Sequence, residues 1–349
     1  MYLRSMSKIF ITLLCLYSTI AYGQQYDFSA VDKYIEDHAG VYDNGVAVLV
    51  TQNGKVIYKK ESGLGVDDKR LVASCSKWLS GAVIMSLVDE GKLSLTDTIG
   101  KFLPIFSQYH KGNITIRQLF SHTSGFPGNS PGRYESSAFM TLESAVDSIA
   151  VYTDMINPPG TKFNYGGVSM QVAGRIAEMV SGKSWQALFN EKIGKPCDMN
   201  ANYIIMSFRN PMIAGGVRTS ATDYIHFLEM IVNKGVYKNK RVLSEAAIAT
   251  MLQDQTNGAA IENTPYPRNP FSPQPDKPVR YGIGNWIDVV SPDGKILETS
   301  SPGAFGTHPW QDEVHHVAGI IFTRTELKKS ALVSLEIRKM IRDILDKKP

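Results

Sequence analysis

The spacing of apolar and polar residues predicts strands near both ends of the chain and helices between them. Residues 45–52 and 56–60 have the apolar and β-branched composition of strands, and the Asn53-Gly54 turn between them indicates a β-hairpin. Residues 31–38, ahead of this hairpin, have helical spacing. Residues 74–90 carry apolar side chains on nearly every side of a helix, which is typical of a helix that is buried.

The middle of the chain is predicted to be mainly helical, and the strand pattern returns towards the C-terminus. Helical spacing is found at residues 116–121, 142–152, 167–180, 185–193 and 221–232. Strand patterns are found at residues 281–290, 295–299, 303–309 and 316–323, and residues 330–346 form a closing amphipathic helix.

This order of elements predicts an α+β fold. In it, one antiparallel sheet contains strands from both chain ends, is flanked by helices and carries an inserted, mainly helical lobe. We expect the sheet lobe to cover about residues 24–100 and 280–349, and the helical lobe about residues 101–256. Residues 257–278 hold six of the 17 prolines without periodicity, so we expect a long loop that is either functional or poorly ordered.

The first 23 residues have the pattern of a secretory signal. A basic start without acids is followed by the apolar run 9–20 and then by Ala21-Tyr22-Gly23, which offers small residues where a signal peptidase reads. Cleavage is expected before Gln24, and the mature protein is expected to be periplasmic or secreted. A membrane anchor is the alternative, but a run of about 12 residues is too short to cross a bilayer.

The three cysteines do not form a disulfide framework. Cys15 belongs to the predicted signal, and the bulky Leu14 before it disfavours a lipid-anchored form. Cys75 lies within the apolar helix pattern, and Cys197 is far from it in the sequence. We expect both remaining thiols to be buried and free, although the sequence does not exclude that they meet.

The charge of the chain does not indicate a nucleic-acid partner. The formal net charge of +4 falls to +2 once Arg4 and Lys8 leave with the predicted signal, and the remaining cations form no basic face. No stretch outside the signal is apolar enough to span a membrane, so stable membrane insertion is not expected. The sequence does not predict an oligomeric state.

A candidate nucleophile stands at the start of the predicted buried helix, in Ser74-Cys75-Ser76-Lys77. On a helix, positions i and i+3 share a face, which brings the Lys77 amine beside the Ser74 hydroxyl. A serine hydroxyl is a weak nucleophile until a base takes its proton, and a lysine with a lowered pKa can be that base. The helix start also supplies a positive dipole and free N–H groups for an oxyanion.

The Ser-x-x-Lys pattern is weak by itself, because Ser5-Met6-Ser7-Lys8 in the predicted signal also matches it. Without other support, Ser74 would be interpreted as a helix cap and Lys77 as a surface cation. A competing nucleophile is Ser130, in the Gly-x-Ser-x-Gly segment 128–132. In an α/β-hydrolase the N–H of the next residue builds the oxyanion hole, but here that residue is Pro131, which has no N–H. This segment is therefore interpreted as a loop.

Several segments, in the correct order, resemble the serine β-lactamase and penicillin-binding-protein superfamily, and in particular its class C-like esterases. The resemblance runs from about residue 45 to residue 323. The matching segments are residues 71–93 around the nucleophile helix, Leu119-Phe120-Ser121-His122-Thr123-Ser124-Gly125, Pro159-Gly160-Thr161-Lys162-Phe163-Asn164-Tyr165, Ala214-Gly215-Gly216 and Gly303-Ala304-Phe305-Gly306-Thr307.

The resemblance implies a serine acyl-transfer hydrolase with a defined set of site residues. By it, Ser74 is the nucleophile, and Lys77 and Tyr165 move protons between Ser74 and the leaving group. The oxyanion hole is formed by the backbone N–H groups of Ser74 and Ala304. Gly303 and Phe305, on either side of Ala304, are expected to line the substrate site. Without the resemblance, Tyr165 would be an ordinary loop tyrosine.

Two departures from the family pattern bear on the substrate. The motif that resembles Tyr-x-Asn in class C enzymes has Gly167 where the Asn is expected, and the motif that resembles Lys-Thr-Gly or His-x-Gly has Ser301 in place of the cation. The lost Asn would hold a side-chain amide of a β-lactam, and the lost cation would bind a substrate carboxylate. We therefore expect an ester or amide without a carboxylate beside the scissile bond. Ser301 and Gly167 are counted as substrate-binding positions, with Ser301 offering a neutral donor.

No cofactor or metal is predicted. Asp312-Glu313-Val314-His315-His316 lies between two predicted strands and is interpreted as a polar hairpin turn, and His122 as a structural part of its loop. The enzyme alternative is a β-lactamase or a D-alanyl-D-alanine carboxypeptidase. The alternative of another class is a non-catalytic penicillin- or peptidoglycan-binding sensor, which need not keep Ser74, Lys77 and Tyr165 together.

Overall fold

The computed structural model describes residues 26–43, 45–204, 207–265 and 278–347 of the chain. The predicted signal, residues 1–23, and residues 266–277 of the proline-rich segment lie outside the described residues.

Thirteen strands are found in the described residues. They are β1 (Val46–Gln52), β2 (Lys55–Ser62), β3 (Arg70–Leu71), β4 (Lys162–Asn164), β5 (Asn202–Tyr203), β6 (Val217–Thr219), β7 (Val236–Tyr237), β8 (Lys240–Arg241), β9 (Ala260–Asn263), β10 (Trp286–Val290), β11 (Ile296–Ser300), β12 (His308–Asp312) and β13 (Val317–Thr323).

The same residues form eleven α-helices, together with short 3₁₀ and π turns. They are α1 (Ser29–Asp37), α2 (Ser76–Asp89), α3 (Ile99–Phe102), α4 (Pro104–Gln108), α5 (Ile116–Phe120), α6 (Leu142–Tyr152), α7 (Val168–Ser181), α8 (Trp185–Phe189), α9 (Ala221–Val232), α10 (Glu245–Leu252) and α11 (Leu327–Asp346).

The main sheet joins the two chain ends. Its strand order is β10-β11-β12-β13-β1-β2, so β1 from the N-terminal part pairs with β13 from the C-terminal part. That pair is antiparallel, with Val46 opposite Thr323 and Gln52 opposite Val317. The α+β fold with one antiparallel sheet built from both chain ends, predicted from the pattern of apolar residues, is confirmed.

Both faces of the sheet are covered by other elements. Successive side chains of a strand point to opposite sides, so alternate residues of β1 and β13 contact different parts of the core. Ala47 and Leu49 join the large core that contains α2, α7 and α9. Val48 and Val50 join a second cluster with side chains of α1 and α11. The sheet is therefore a layer between the terminal helices and the helical lobe.

Helix α2 lies at the centre of the larger core, and every side chain from Ser76 to Leu87 is buried. Two glycines allow the segment before β10 to reach this helix. A Cβ atom added at Gly81 would lie 2.2 Å from the carbonyl oxygen of Ile283, and one added at Gly284 would lie 2.2 Å from that of Lys77. Because neither contact leaves room for a side chain, the segment before β10 packs directly on the helix.

Several predicted elements differ from the structure. The strand predicted at residues 281–290 begins only at Trp286, and the helix predicted at residues 185–193 ends at Phe189 and continues as a π turn. The helix predicted from residue 74 begins with a 3₁₀ turn at Ala73–Cys75, and α2 follows it. The strand predicted at residues 303–309 is mostly a tight turn, and β12 begins only at His308. The segment 257–278 is not a plain loop, since its residues Ala260–Asn263 form β9, which pairs in parallel with β4.

Within the described residues, none of the helices combines the length and the apolar character that crossing a bilayer requires. Both Cys75 and Cys197 are buried and free.

Candidate active site

Ser74 and Lys77 lie together at the start of the buried helix. Ser74 is the middle residue of the 3₁₀ turn, and Lys77 is the second residue of α2. Their side chains are in hydrogen-bond contact, with 3.1 Å between Lys77 Nζ and Ser74 Oγ. The turn is held by Ser76, whose hydroxyl donates to the carbonyl of Ala73 at 2.6 Å and accepts from the N–H of Val217 at 3.0 Å.

The Lys77 amine is buried, with only 3% of the residue exposed. Apart from Ser74, its hydrogen-bond partner is the carbonyl oxygen of Ala214, at 2.9 Å. Burial lowers the pKa of Lys77 to about 7, because the charged form loses its hydration and gains no carboxylate in return. An amine with such a pKa is partly neutral at neutral pH and can accept the proton of a serine hydroxyl.

Tyr165 lies on the other side of the amine, directly after β4. Lys77 Nζ is 4.6 Å from the centre of the Tyr165 ring, and the ring of Trp286 stacks on the tyrosine at 5.2 Å. Burial raises the pKa of Tyr165, while a hydrogen bond between its side chain and that of Ser74 acts in the opposite direction. The hydroxyl is therefore protonated at neutral pH, which favours Lys77 as the base and Tyr165 as a proton donor.

Two backbone contacts fix the segment that carries Tyr165. The N–H of Tyr165 donates to the carbonyl of Asn263 in β9 at 3.0 Å, and the N–H of Gly167 donates to the carbonyl of Gly128 at 2.8 Å. A Cβ atom at Gly166 would lie 1.9 Å from the Gly128 oxygen, so the two backbones are in direct contact. The role of β9 was missed, because a proline-rich composition carries no strand signal.

The predicted oxyanion turn packs against the segment that carries Ser74. Gly303 donates to the carbonyl of Thr307 at 2.9 Å and closes a tight turn around Ala304. A Cβ atom at Gly303 would lie 2.1 Å from the carbonyl oxygen of Val72, two residues before Ser74. Among the described residues, neither the N–H of Ser74 nor that of Ala304 donates to a backbone carbonyl. Both amides are thus available for an oxyanion.

Ser301 differs from its expected placement. The residue is 2% exposed, and its hydroxyl lies 3.3 Å from the carbonyl oxygens of both Ser74 and Gly284. It therefore faces protein backbone, where it links the end of β11 to the turn that contains Ser74 and to the segment before β10. This geometry argues for a supporting role and against the expected hydrogen bond to substrate.

The remaining predicted positions surround these residues. Gly167 lies against the side chains of Glu135 and Ala214, at 3.4 and 3.7 Å from a Cβ atom placed on it. Phe305 is half-buried, and the Arg324 guanidinium lies 6.0 Å from its ring centre. Sequence reasoning missed Arg324 as a cation near the turn, because it stands at the end of a different strand.

The competing serine has a different environment. Ser130 is buried, its hydroxyl donates to the carboxylate of Glu135, and it accepts from the N–H of Tyr134 at 2.8 Å. These bonds hold the loop that supports Gly128 beneath the tyrosine segment. His315, in the other rejected motif, lies 2.7 Å from Asp312 and 3.0 Å from Asp346, and joins the β12–β13 turn to α11.

A Ser-x-x-Lys sequence at the start of a buried helix, beside the ends of β11 and β12 and with a tyrosine next to the lysine, is typical of β-lactamase-related serine hydrolases. The Beta-lactamase family model matches residues 32–333, and the chain belongs to this family. The crystal structure of a protein of beta-lactamase type from Bacteroides dorei DSM 17855 is 32% identical. It covers 92% of this chain and 100% of its own, with a TM-score of 0.82.

Two curated relatives differ in how much of them the chain covers. D-alanyl-D-alanine-carboxypeptidase/endopeptidase AmpH of Escherichia coli K12 is 23% identical over 91% of this chain and 90% of its own length. Protein flp of Staphylococcus aureus NCTC 8325 is 28% identical over 44% of this chain, and the match covers 34% of its length. The chain thus spans about a third of the first curated relatives that it matches.

Proposed function

We propose that this protein hydrolyses an ester or amide through a covalent acyl-enzyme on Ser74. The observation that carries the proposal is the 3.1 Å contact between Ser74 and a buried Lys77 whose other partner is a neutral carbonyl. A carboxylate in that place would hold the amine charged, whereas a carbonyl leaves it able to act as a base.

In the first half of the reaction, Ser74 Oγ attacks the carbonyl carbon of the substrate while Lys77 takes the hydroxyl proton. The oxyanion is held by the N–H groups of Ser74 and Ala304. When the tetrahedral intermediate collapses, the bond to the leaving group breaks, and Tyr165 passes a proton to that group. Lys77 restores the tyrosine proton. Water then attacks the acyl-enzyme with the same groups in reverse order, and Ser74 is regenerated.

The preferred substrate is proposed to be a carboxylesterase-like ester, or an amide, without a carboxylate beside the scissile bond. Ser301 stands where a cation is expected, and its hydroxyl is directed at two backbone carbonyls. Gly167 offers no side-chain amide to a β-lactam. The second candidate is a D-alanyl-D-alanine carboxypeptidase or β-lactamase, favoured by the likeness to AmpH over nearly the whole chain. Arg324 beside Phe305 could then supply the cation.

We also propose that the protein is exported to the periplasm or secreted, on the signal pattern of residues 1–23. Mass spectrometry of the N-terminus of protein recovered from the periplasm tests this. A mature chain that begins at Gln24 is expected, and recovery of the uncleaved chain from the cytoplasm contradicts it.

The catalytic proposal is tested with an active-site probe and a substrate panel. A fluorophosphonate is expected to label the peptide that contains Ser74, and Ser74→Ala is expected to lose the label and about 10⁴–10⁶ in kcat. Ser130→Ala is the matched control and should keep both. Labelling at Ser130, or full activity of Ser74→Ala, refutes the mechanism. Purified protein with p-nitrophenyl esters, nitrocefin and a D-alanyl peptide side by side then ranks the substrate classes, and turnover of none of them supports the sensor alternative.

A further inference from the structure

His122 is enclosed by aromatic rings next to the candidate active site. Its imidazole lies 4.6 Å from the ring of Tyr165, 4.9 Å from that of Tyr281 and 5.6 Å from that of Phe163, measured between ring centres. The residue is 1% exposed. We call these four rings the histidine box. One of its walls is the tyrosine that also contacts Lys77 and Ser74.

Both ring nitrogens of His122 are buried without a hydrogen-bond partner in the described part of the chain. A buried polar group without a partner is costly, and a neutral imidazole always carries one N–H. An apolar ring would fill the same space without this cost. The polar ring is therefore not explained by packing, and an explanation in terms of function is required.

The backbone of His122 carries a second cost. Its φ angle is +59°, in the left-handed region, which His, Asn and Asp adopt more readily than other non-glycine residues. The strained residue is tied to the tyrosine segment, since its carbonyl accepts from the N–H of Asn164 at 2.8 Å. Strain that the surrounding structure maintains is found most often at functional sites.

We propose that His122 is a positioning residue for Tyr165, with its ring N–H against the tyrosine ring and the two rings held at a fixed tilt. The interplanar angle is 47°, so the two rings are tilted, neither stacked nor edge-on. Trp286 stacks on the same tyrosine at 23°, so two rings restrain it together. This inference rests on the proposed function, because it assigns Tyr165 a reacting hydroxyl.

Charge favours a neutral imidazole in this box. Burial lowers the pKa of His122 well below its usual value, and the nearby Lys77 amine acts in the same direction. The ionisable groups around Lys77 are Cys75, on its own turn, Tyr165, whose ring it contacts, and His122 itself. Since Cys75 and Tyr165 both have raised pKa values, neither is charged at neutral pH. The ring face of Tyr165 thus stabilises the lysine cation together with the Ala214 carbonyl.

This arrangement predicts a large effect on catalysis and a small effect on stability. His122→Phe keeps a ring and removes the unpartnered nitrogens, but the left-handed backbone disfavours Phe more than His. The two effects oppose each other, so the melting temperature should change by no more than about 2 °C. The kcat value should fall by about 10- to 100-fold, with little change in KM, because Tyr165 is no longer held in position. If Tyr165 moves, the cation–π contact between its ring and Lys77 weakens and the pKa of Lys77 falls. The acid limb of the pH profile of kcat should then shift to lower pH by about 0.3–1 unit.

Two further variants complete the experiment. His122→Asn keeps an N–H donor and tolerates the left-handed backbone, so it should recover at least part of the kcat lost in His122→Phe. Thr51→Val, in β1, removes another buried hydroxyl that has no partner in the described residues. It should likewise change the melting temperature by only a few degrees, without a change in kcat or in the pH profile.

A fall of several degrees in the melting temperature of His122→Phe, with the acid limb unmoved, overturns the proposal and makes His122 a purely structural residue. An unchanged kcat and pH profile overturns it as well. Ser74→Ala measured alongside separates the two ideas. If Ser74→Ala is inactive and His122→Phe is normal, only this inference fails, whereas an active Ser74→Ala refutes the proposed function itself.

Discussion

The side-chain nitrogen of Lys77 lies 2.9 Å from the main-chain oxygen of Ala214, in the turn just before β6. The amine that contacts Ser74 is thus fixed by a neutral dipole from a distant part of the chain. Position and pKa are set together, because the carbonyl orients the amine without supplying a full negative charge.

Activity should therefore depend on pH through Lys77. With its pKa near 7, the amine is a base only above that pH, so kcat/KM is expected to rise tenfold per unit below about pH 7 and to level off above it. A pH–rate profile with a neutral ester measures this. Lys77→Arg is the control, since a guanidinium remains charged and should give little activity at any pH in this range. An acid limb near pH 4 would assign the base to a carboxylate instead.

The Lys77 amine should also make the stability of the folded protein increase with pH. The pKa of Lys77 is lower in the folded state than in the unfolded chain, so the buried charge destabilises the fold fully below about pH 7, and this penalty fades as the pH rises towards 10.5. Lys77→Met should be inactive and should melt at a higher temperature than the wild type at pH 6. If this variant melts at a lower temperature, burial of the amine is not the cost that its environment indicates.

Tyr165→Phe should lower kcat by about 10²–10⁴ without loss of folding, since the ring contacts with Trp286 and His122 are retained and only the hydroxyl is removed. Tyr152→Phe, at a tyrosine that is 65% exposed, is the matched control and should have normal kinetics. Steady-state kinetics and circular dichroism of both variants test this. An unaffected kcat in Tyr165→Phe would reduce the tyrosine to a structural role.

Gly303→Ala should damage the oxyanion turn. Its Cβ atom would lie 2.1 Å from the Val72 carbonyl, so the turn must move away from the nucleophile segment and carry the Ala304 N–H with it. Loss of one oxyanion donor typically costs about 10²–10³ in kcat. The control is Gly40→Ala, where an added Cβ atom meets nothing within 4 Å. Near-normal kcat in Gly303→Ala would show that the turn does not supply a donor.

Substrate preference tests the missing cation. A charge-assisted hydrogen bond to a carboxylate is worth about 1.5–3 kcal/mol, so its absence should favour p-nitrophenyl butyrate over nitrocefin by about ten- to a hundredfold in kcat/KM. Arg324→Gln tests whether the arginine beside Phe305 binds the substrate carboxylate instead. If it does, this variant should turn over nitrocefin more slowly and the neutral ester at the normal rate. A kcat/KM for nitrocefin that equals or exceeds the ester value contradicts the predicted preference.

The buried ion cluster under the sheet should be important for folding. Arg338 in α11 is 2% exposed and donates to Asp288 at 2.8 Å and to Glu298 at 2.7 Å. Arg338→Met leaves both carboxylates buried without this partner, which typically costs about 3–5 kcal/mol. Lys339→Met, next along the helix, breaks only the exposed pair with Asp343 and should cost less than about 0.5 kcal/mol. Urea unfolding of both variants compares them.

Parts of this protein follow from local sequence. Helical periodicity puts Ser74 and Lys77 on one face, because positions i and i+3 are adjacent on any helix. The hairpin of β1 and β2 is similarly defined by the Asn53-Gly54 turn. The strand pattern of residues 316–323 likewise predicts β13, which pairs with β1. These features depend on neighbours within a few residues, so they can be predicted without knowledge of the rest of the chain.

Tertiary structure decided the remainder of the site. The placement of Tyr165 against Lys77 depends on β9, and the burial of Ser301 depends on the approach of Gly284 to α2. The left-handed backbone of His122 and its enclosure by three aromatic rings likewise have no local pattern. Such contacts join residues that are far apart in the sequence, and their geometry is set by how the sheet and the helices pack, which no periodicity in the chain records.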